Sequence, residues 1–261
     1  MAIGKNSQRM RSAIQNVARL FGEPARQWGT SGELDYKAPV EVPALATGFR
    51  PLDKALEIGG LPQGHITELL EPGINTISNG ATTIAARIAA KVQRQQQVVA
   101  IIDMNHSFDG WHAEQCGLIA PNLLVTRPDT VLATLNAIEK AARNATLVIV
   151  MMGVVSKLLQ HVEPALLSTL LRRLQRIIRK SSSAFLLVTA PPKNEPFSPD
   201  NYPEGFPLAE IADVRLWLQD EAWSYKDGLA TTYKANLTVI KNNLATPGKG
   251  ADIKIKLNSF P

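Results

Sequence analysis

The sequence predicts an α/β fold built on a mostly parallel central sheet that closes in antiparallel hairpins. Short apolar runs, of the kind that fill strands buried on both faces, alternate with helical segments through the middle of the chain. After Ile211 the helices stop, and strand-like runs follow one another across turns such as Lys226-Asp227-Gly228. The 261 residues are 45% apolar and 20% charged, with 17 Gly and 17 Pro, a composition that excludes disorder, collagen and coiled coil and suffices for one large core.

Each element has its own signal. Met10, Ile14, Val17 and Phe21 recur at helical spacing after Ser7, with Arg9, Arg11 and Arg19 between them, so an amphipathic helix opens the chain and Gly22 and Pro24 stop it. Glu23 to Pro43 lacks a helical period and is rich in Gly, Pro and small polar residues, which reads as a tether. The organisation is therefore a helix with linker over 1–46, an oligomerisation arm, and a core domain over 47–261. Strands are expected at Ile66–Leu70, Val98–Ile102, Leu147–Met152 and Phe185–Val188, and helices at Ile84–Val92, Val131–Ala142 and Leu166–Ile178. Val214–Leu218, Ala235–Ile240 and Ile253–Leu257 are the closing strands.

Several function classes drop out. The longest apolar stretch, Leu147 to Val155, is nine residues, against the roughly 20 a membrane helix needs. Met1 to Lys5 leads into no apolar signal core, so a cytoplasmic location is expected. A lone Cys116 forms no internal disulfide, and His106, His112 and Cys116 match no standard metal-ligand spacing. A net charge of +5 and a pI of about 9.3 admit anionic partners without requiring them.

Three stretches carry a resemblance. Thr47-Gly48-Phe49-Arg50-Pro51-Leu52-Asp53 runs to Gly59-Gly60-Leu61-Pro62-Gln63-Gly64-His65-Ile66; Ala100-Ile101-Ile102-Asp103 is followed by His106 and Asp109; and Ala212-Asp213-Val214-Arg215-Leu216 is followed by Val239-Ile240-Lys241-Asn242-Asn243-Leu244-Ala245-Thr246-Pro247. In this order and spacing they resemble the RecA recombinase family, and Phe21-Gly22 resembles the end of its filament-forming N-terminal helix. The resemblance implies a RecA-like P-loop NTPase core over nearly the whole chain, without the family's small C-terminal domain.

A P-loop works because backbone N–H groups wrap the phosphates, a lysine meets the β and γ charges, and a hydroxyl holds magnesium. The resemblance places that loop at Asn75 to Thr83, where Gly80, Thr82 and Thr83 match but Ala81 stands in place of the lysine. In an alternative register Ile77 takes that place. The insertion Glu71 to Ile74 adds a carboxylate. The water-positioning glutamate falls on Asn105, which cannot take a proton as a carboxylate does. The metal-supporting aspartate falls on Met152, and the γ-phosphate-sensing amide on Ala190. Of the paired lysines that reach a neighbour's ATP, Lys241 matches and the second is Asn243. At the adenine end Asp109 matches the base-contacting aspartate, with a helix cap as its equal alternative, and His112 replaces a stacking tyrosine. The expectation is no required cofactor and no catalytic residue, with residual ATP or ADP binding but no hydrolysis.

The family's two DNA-binding loops correspond to Ser156–Glu163, with only Lys157, and to Pro191–Pro207, where Lys193 faces Glu195, Asp200 and Glu204. Phe197, Tyr202 and Phe206 suit base stacking, burial against the core or, slightly favoured, protein docking. Along Leu166–Lys180 the cations Arg172, Arg173, Arg176, Arg179 and Lys180 lie opposite a leucine face, a solvated surface or a site for DNA or an acidic partner. The expected protein is a pseudo-ATPase of DNA recombination and repair. It would bind single- or double-stranded DNA, a recombinase filament or a translesion polymerase, as a homo-oligomer or mixed filament. Two alternatives stand: a DNA-dependent ATPase whose cation comes from Arg87, Lys91 or a neighbour's Lys241, and a purely structural self-assembling protein.

Overall fold

The alternation of apolar runs and helices produces an eight-stranded mixed sheet. The computed structural model describes residues 42–71, 80–154, 164–190 and 207–257. All of these belong to the second of two units, divided after Glu41. The opening helix and tether therefore lie outside the described residues up to Glu41, as do both expected DNA-binding loops apart from Pro207.

A short antiparallel pair, β1 (Ala44–Leu45) and β2 (Leu61–Pro62), brackets helix α1 (Arg50–Ala55). Then follow β3 (Ile66–Leu70), α2 (Gly80–Arg94), β4 (Val99–Asp103), α3 (Gly110–Gln115), β5 (Leu123–Thr126), α4 (Val131–Asn144), β6 (Leu147–Val154), α5 (Pro164–Ile178), β7 (Ala184–Ala190) and α6 (Leu208–Ile211). The chain closes with β8 (Val214–Lys226), β9 (Leu229–Asn242) and β10 (Gly250–Lys256). The sheet order is β10-β9-β8-β3-β7-β6-β4-β5; pairs from β8 to β5 are parallel, and β8-β9-β10 is antiparallel.

Period-two alternation divides the core between the two faces. Leu147, Ile149 and Met151 of β6 join the Ala- and Ile-rich face of α2, whereas Val148, Val150 and Met152 join Ile138 of α4 and Leu171 and Leu174 of α5. On β9 and β10 Tyr233, Leu237, Val239, Ile253 and Ile255 point into the first cluster, while the residues between them are half-buried or exposed. The closing strands accordingly run longer than their apolar runs. Strand β5 went unpredicted because at the sheet edge its Leu124 and Val125 are exposed and its burial pattern carries no alternation.

The Thr47-to-Asp53 motif is a local lock. Thr47 donates from its N–H and Oγ1 to Asp53 Oδ1 at 2.8 and 2.7 Å, around Gly48, whose φ of 89° suits a residue without a Cβ. His65 Nδ1 and Arg179 meet Asp213 at 3.0 and 2.7 Å, tying β3, α5 and the entry to β8.

At the centre, Glu68 of β3 is fully buried; its Oε2 accepts from Arg215 Nε of β8 at 2.7 Å and its Oε1 from Thr189 Oγ1 of β7 at 2.7 Å. Burial pushes the Glu68 carboxyl above its ordinary value, and Arg215 and Thr189 offset only part of that rise. Breaking a buried pair leaves an uncompensated charge, so Arg215→Met should lower unfolding free energy in urea by about 3–5 kcal/mol. The double variant Glu68→Met/Arg215→Met should lose less than either single one.

Candidate nucleotide site

Strand β3 ends at Leu70, residues 72–79 lie outside the described residues, and α2 begins at Gly80. Ala81 is completely buried in the core, so an apolar methyl stands where a cation was expected. Thr82 is half-buried. Thr83 is fully buried, and its Oγ1 lies 2.7 Å from His112 Nε2. The His112 ring tilts against Trp223 at 6.1 Å, and Trp223 packs on Tyr233 at 4.5 Å. His112 is thus engaged by α2 and the β8–β9 hairpin. Desolvation lowers its pKa, with Asp109 opposing.

Asp109 performs the work of a helix cap, accepting from the N–H groups of Trp111 and His112 at 2.9 and 3.2 Å at the start of α3. Asn105 lies on an exposed turn within 2.8 Å of the Ser107 hydroxyl and against Gly153. That turn is anchored by Asp103, fully buried, which accepts from the N–H groups of Ser107 and Phe108 at 3.0 and 3.1 Å and from Arg127 Nε at 3.0 Å. Met152 sits at a β-bulge in β6, where the register with β7 shifts between Met151 and Gly153. It joins the apolar cluster between the sheet and α4 and α5. Among the described residues no group of His, Cys, Asp and Glu has the arrangement to hold a metal ion.

The hairpin supplies groups that the sequence did not single out. Asp220 and Glu221 of β8 together oppose one residue of β9, because the register passes from Gln219↔Asn236 to Ala222↔Lys234. Asp220 takes a φ of 49° in this bulge. Bulges re-aim side chains. Here Glu221 Oε1 accepts from Tyr233 Oη at 2.6 Å, and both atoms rest against Gly80 so closely that a Cβ there would overlap them. A one-residue offset within a strand has no compositional signal, which is why Glu221 was not legible.

Lys241 and Arg87 are engaged within the chain. Lys241 Nζ donates to the carbonyls of Ala209 and Glu210 at 2.8 and 3.0 Å, closing the end of α6, and burial lowers its pKa. Arg87 donates to the Cys116 carbonyl at 2.8 Å, and the Lys91 stem lies against Gly48.

The RecA N-terminal domain family matches residues 8–259. The chain belongs to the RecA family. Similar relatives are the RecA proteins of Thermus thermophilus, 30% identical over 94% of this chain and 75% of the relative, and of Heliobacterium modesticaldum, 30% identical over 98% and 76%. RecA of Helicobacter pylori is 29% identical over 98% of this chain and 76% of its own. The family relationship ties the chain to recombination and repair, and the mixed sheet is a RecA-like core. Among the described residues no helix is long and apolar enough to cross a membrane.

Of the RecA-family surface positions, Lys157, Lys193, Phe197, Tyr202 and Phe206 lie outside the described residues. On α5, Arg172 reaches Glu210 at 3.8 Å and Arg173 reaches Glu139 at 3.7 Å, contacts that partly neutralise the face, whereas Arg176 is exposed. Ala190 ends β7, half-buried.

The half-buried His112 makes a pH prediction. Its folded pKa is depressed, so its contribution is present in full above the unfolded value of 6.5 and is lost as pH falls from there through the lower folded value. Urea unfolding from pH 8 to pH 5 should show this acid loss, and His112→Gln, which keeps a polar contact but does not titrate, should flatten it. Burial pushes the Cys116 thiol up to about 12, so native protein should resist alkylation at pH 8 until it is unfolded.

Proposed function

We propose that the chain is a RecA-family pseudo-ATPase that acts in recombination or repair by binding rather than by turnover. Its targets are DNA, a recombinase filament or a translesion polymerase, and its N-terminal arm serves filament-like self-assembly. The observation that supports this reading is the burial of Ala81 and Met152 among apolar side chains, since the family resemblance gives these positions to the phosphate-binding lysine and the metal-supporting aspartate. Losing one charge-assisted contact costs about 1.5–3 kcal/mol, roughly a tenfold to hundredfold loss in nucleotide affinity. The exposed amide of Asn105 offers no general base. The engagement of Arg87 and Lys241 within the chain weighs against an ATPase that borrows either cation.

The test is phosphate release together with fluorescence anisotropy of labelled single- and double-stranded DNA, with and without Mg²⁺·ATP, at low and near-physiological salt. No DNA-stimulated turnover is expected, and DNA affinity should fall with salt yet ignore ATP. Turnover abolished by mutating Thr82 would sink the reading. Ala81→Lys alone should restore no turnover, because Asn105 and Met152 remain. Deleting Met1 to Gly22 should reduce the mass in solution if the arm assembles copies.

A further inference from the structure

We propose that the cavity between α4, α5 and the sheet is a binding site for a small apolar molecule, of the size and character of a single aromatic ring. Val150 and Met152 of β6 and Phe185 of β7 form its floor, and Ile138 of α4 and Leu174 of α5 form its walls. It gives the centre of a water-sized atom about 40 Å³ of room. One water needs roughly 10–15 Å³ of such room, so size alone would admit solvent. Protein interiors hold few voids larger than a water molecule, because the side chains around an empty space lose the dispersion contacts a neighbour would supply. A guest of matching shape restores them.

The chemistry of the lining selects that guest. Among the described residues that line the cavity Thr134 has the one polar side chain, and its hydroxyl donates to the Thr130 carbonyl within α4 at 2.9 Å. The backbone groups of the floor are taken up by the pairing of β6 with β4 and β7. A water is held only by two to four polar partners, whereas a cavity lined by aliphatic and aromatic side chains stays dry and accepts benzene or xenon. Met104, Val131 and Leu135 are half-buried while the other lining residues are buried, so the way in lies between the end of β4 and the first turns of α4. The cavity lies on the face of the sheet opposite α2, and the inference stands apart from the reading of the nucleotide site.

Full-length protein labelled with ¹³C at its methionine methyl groups is titrated with benzene and, separately, with pyridine, reading methyl shifts and Tm. Benzene should raise Tm and move the Met104 and Met152 signals. The Met151 signal should stay in place, because that side chain lies on the α2 face of the sheet. Pyridine is the same ring with one nitrogen acceptor, which this cavity would leave unpaired, so it should bind about tenfold more weakly. Ile138→Phe should fill the space and abolish the benzene response, and Leu135→Phe, at the mouth, serves if that variant does not fold. Absence of a benzene response in wild type overturns the inference, as does a response that spares Met152, an equal affinity for pyridine, or a response undiminished in the folded filling variant.

Discussion

The Glu68–Arg215 pair is the constraint around which the two halves of the sheet are joined. Its members lie on β3 and β8, the strands where the parallel part passes into the antiparallel part, and Thr189 on β7 completes the span across three neighbouring strands. A buried charge tolerates one partner geometry, while an apolar side chain tolerates many. A one-residue slip of β8 would turn Arg215 to the other face and strand Glu68 without it. The pair thus supplies register more than net stability, and everything further along β8 inherits that register.

Glu221 is what inherits it. Six positions beyond Arg215, past one bulge, the strand delivers a carboxylate to the first residue of α2, and Tyr233 arrives opposite Trp223 on β9. The Thr83–His112 contact likewise ties α2 to α3.

Most of the fold was legible because it rests on alternation and punctuation. Ile66–Leu70 is buried throughout, and its apolar run coincides with the strand. The helices at 131 and 164 follow their leucine and alanine periodicity, with Thr130 capping the first. What escaped notice depends on long-range context. Leu123–Thr126 is a strand only because β4 lies beside it. At the site, the reading of Ala81, Asn105 and Met152 rests on register with the family alone. The direction of His112 was not legible, because it is set by Trp223, more than a hundred positions away in the chain. Asp109 shows the same ambiguity within four residues: one carboxylate serves as a base contact or as a helix cap, and its bonds to Trp111 and His112 assign it to the cap.

The cations carry a related lesson for partner binding. A helix bearing Arg172, Arg173, Arg176 and Arg179 reads as a basic stripe, yet three of the four lie near Glu210, Glu139 and Asp213. Arg172 and Arg173 are more than half exposed and their contacts are long, so water screens them and they remain available to an incoming phosphate. Arg179 differs, because Asp213 is buried and also holds His65. Recruiting Arg179 to a partner would leave that carboxylate with His65 alone. Any anionic surface that docks on this helix therefore engages its outward arginines first, with Arg179 left to hold the strands together.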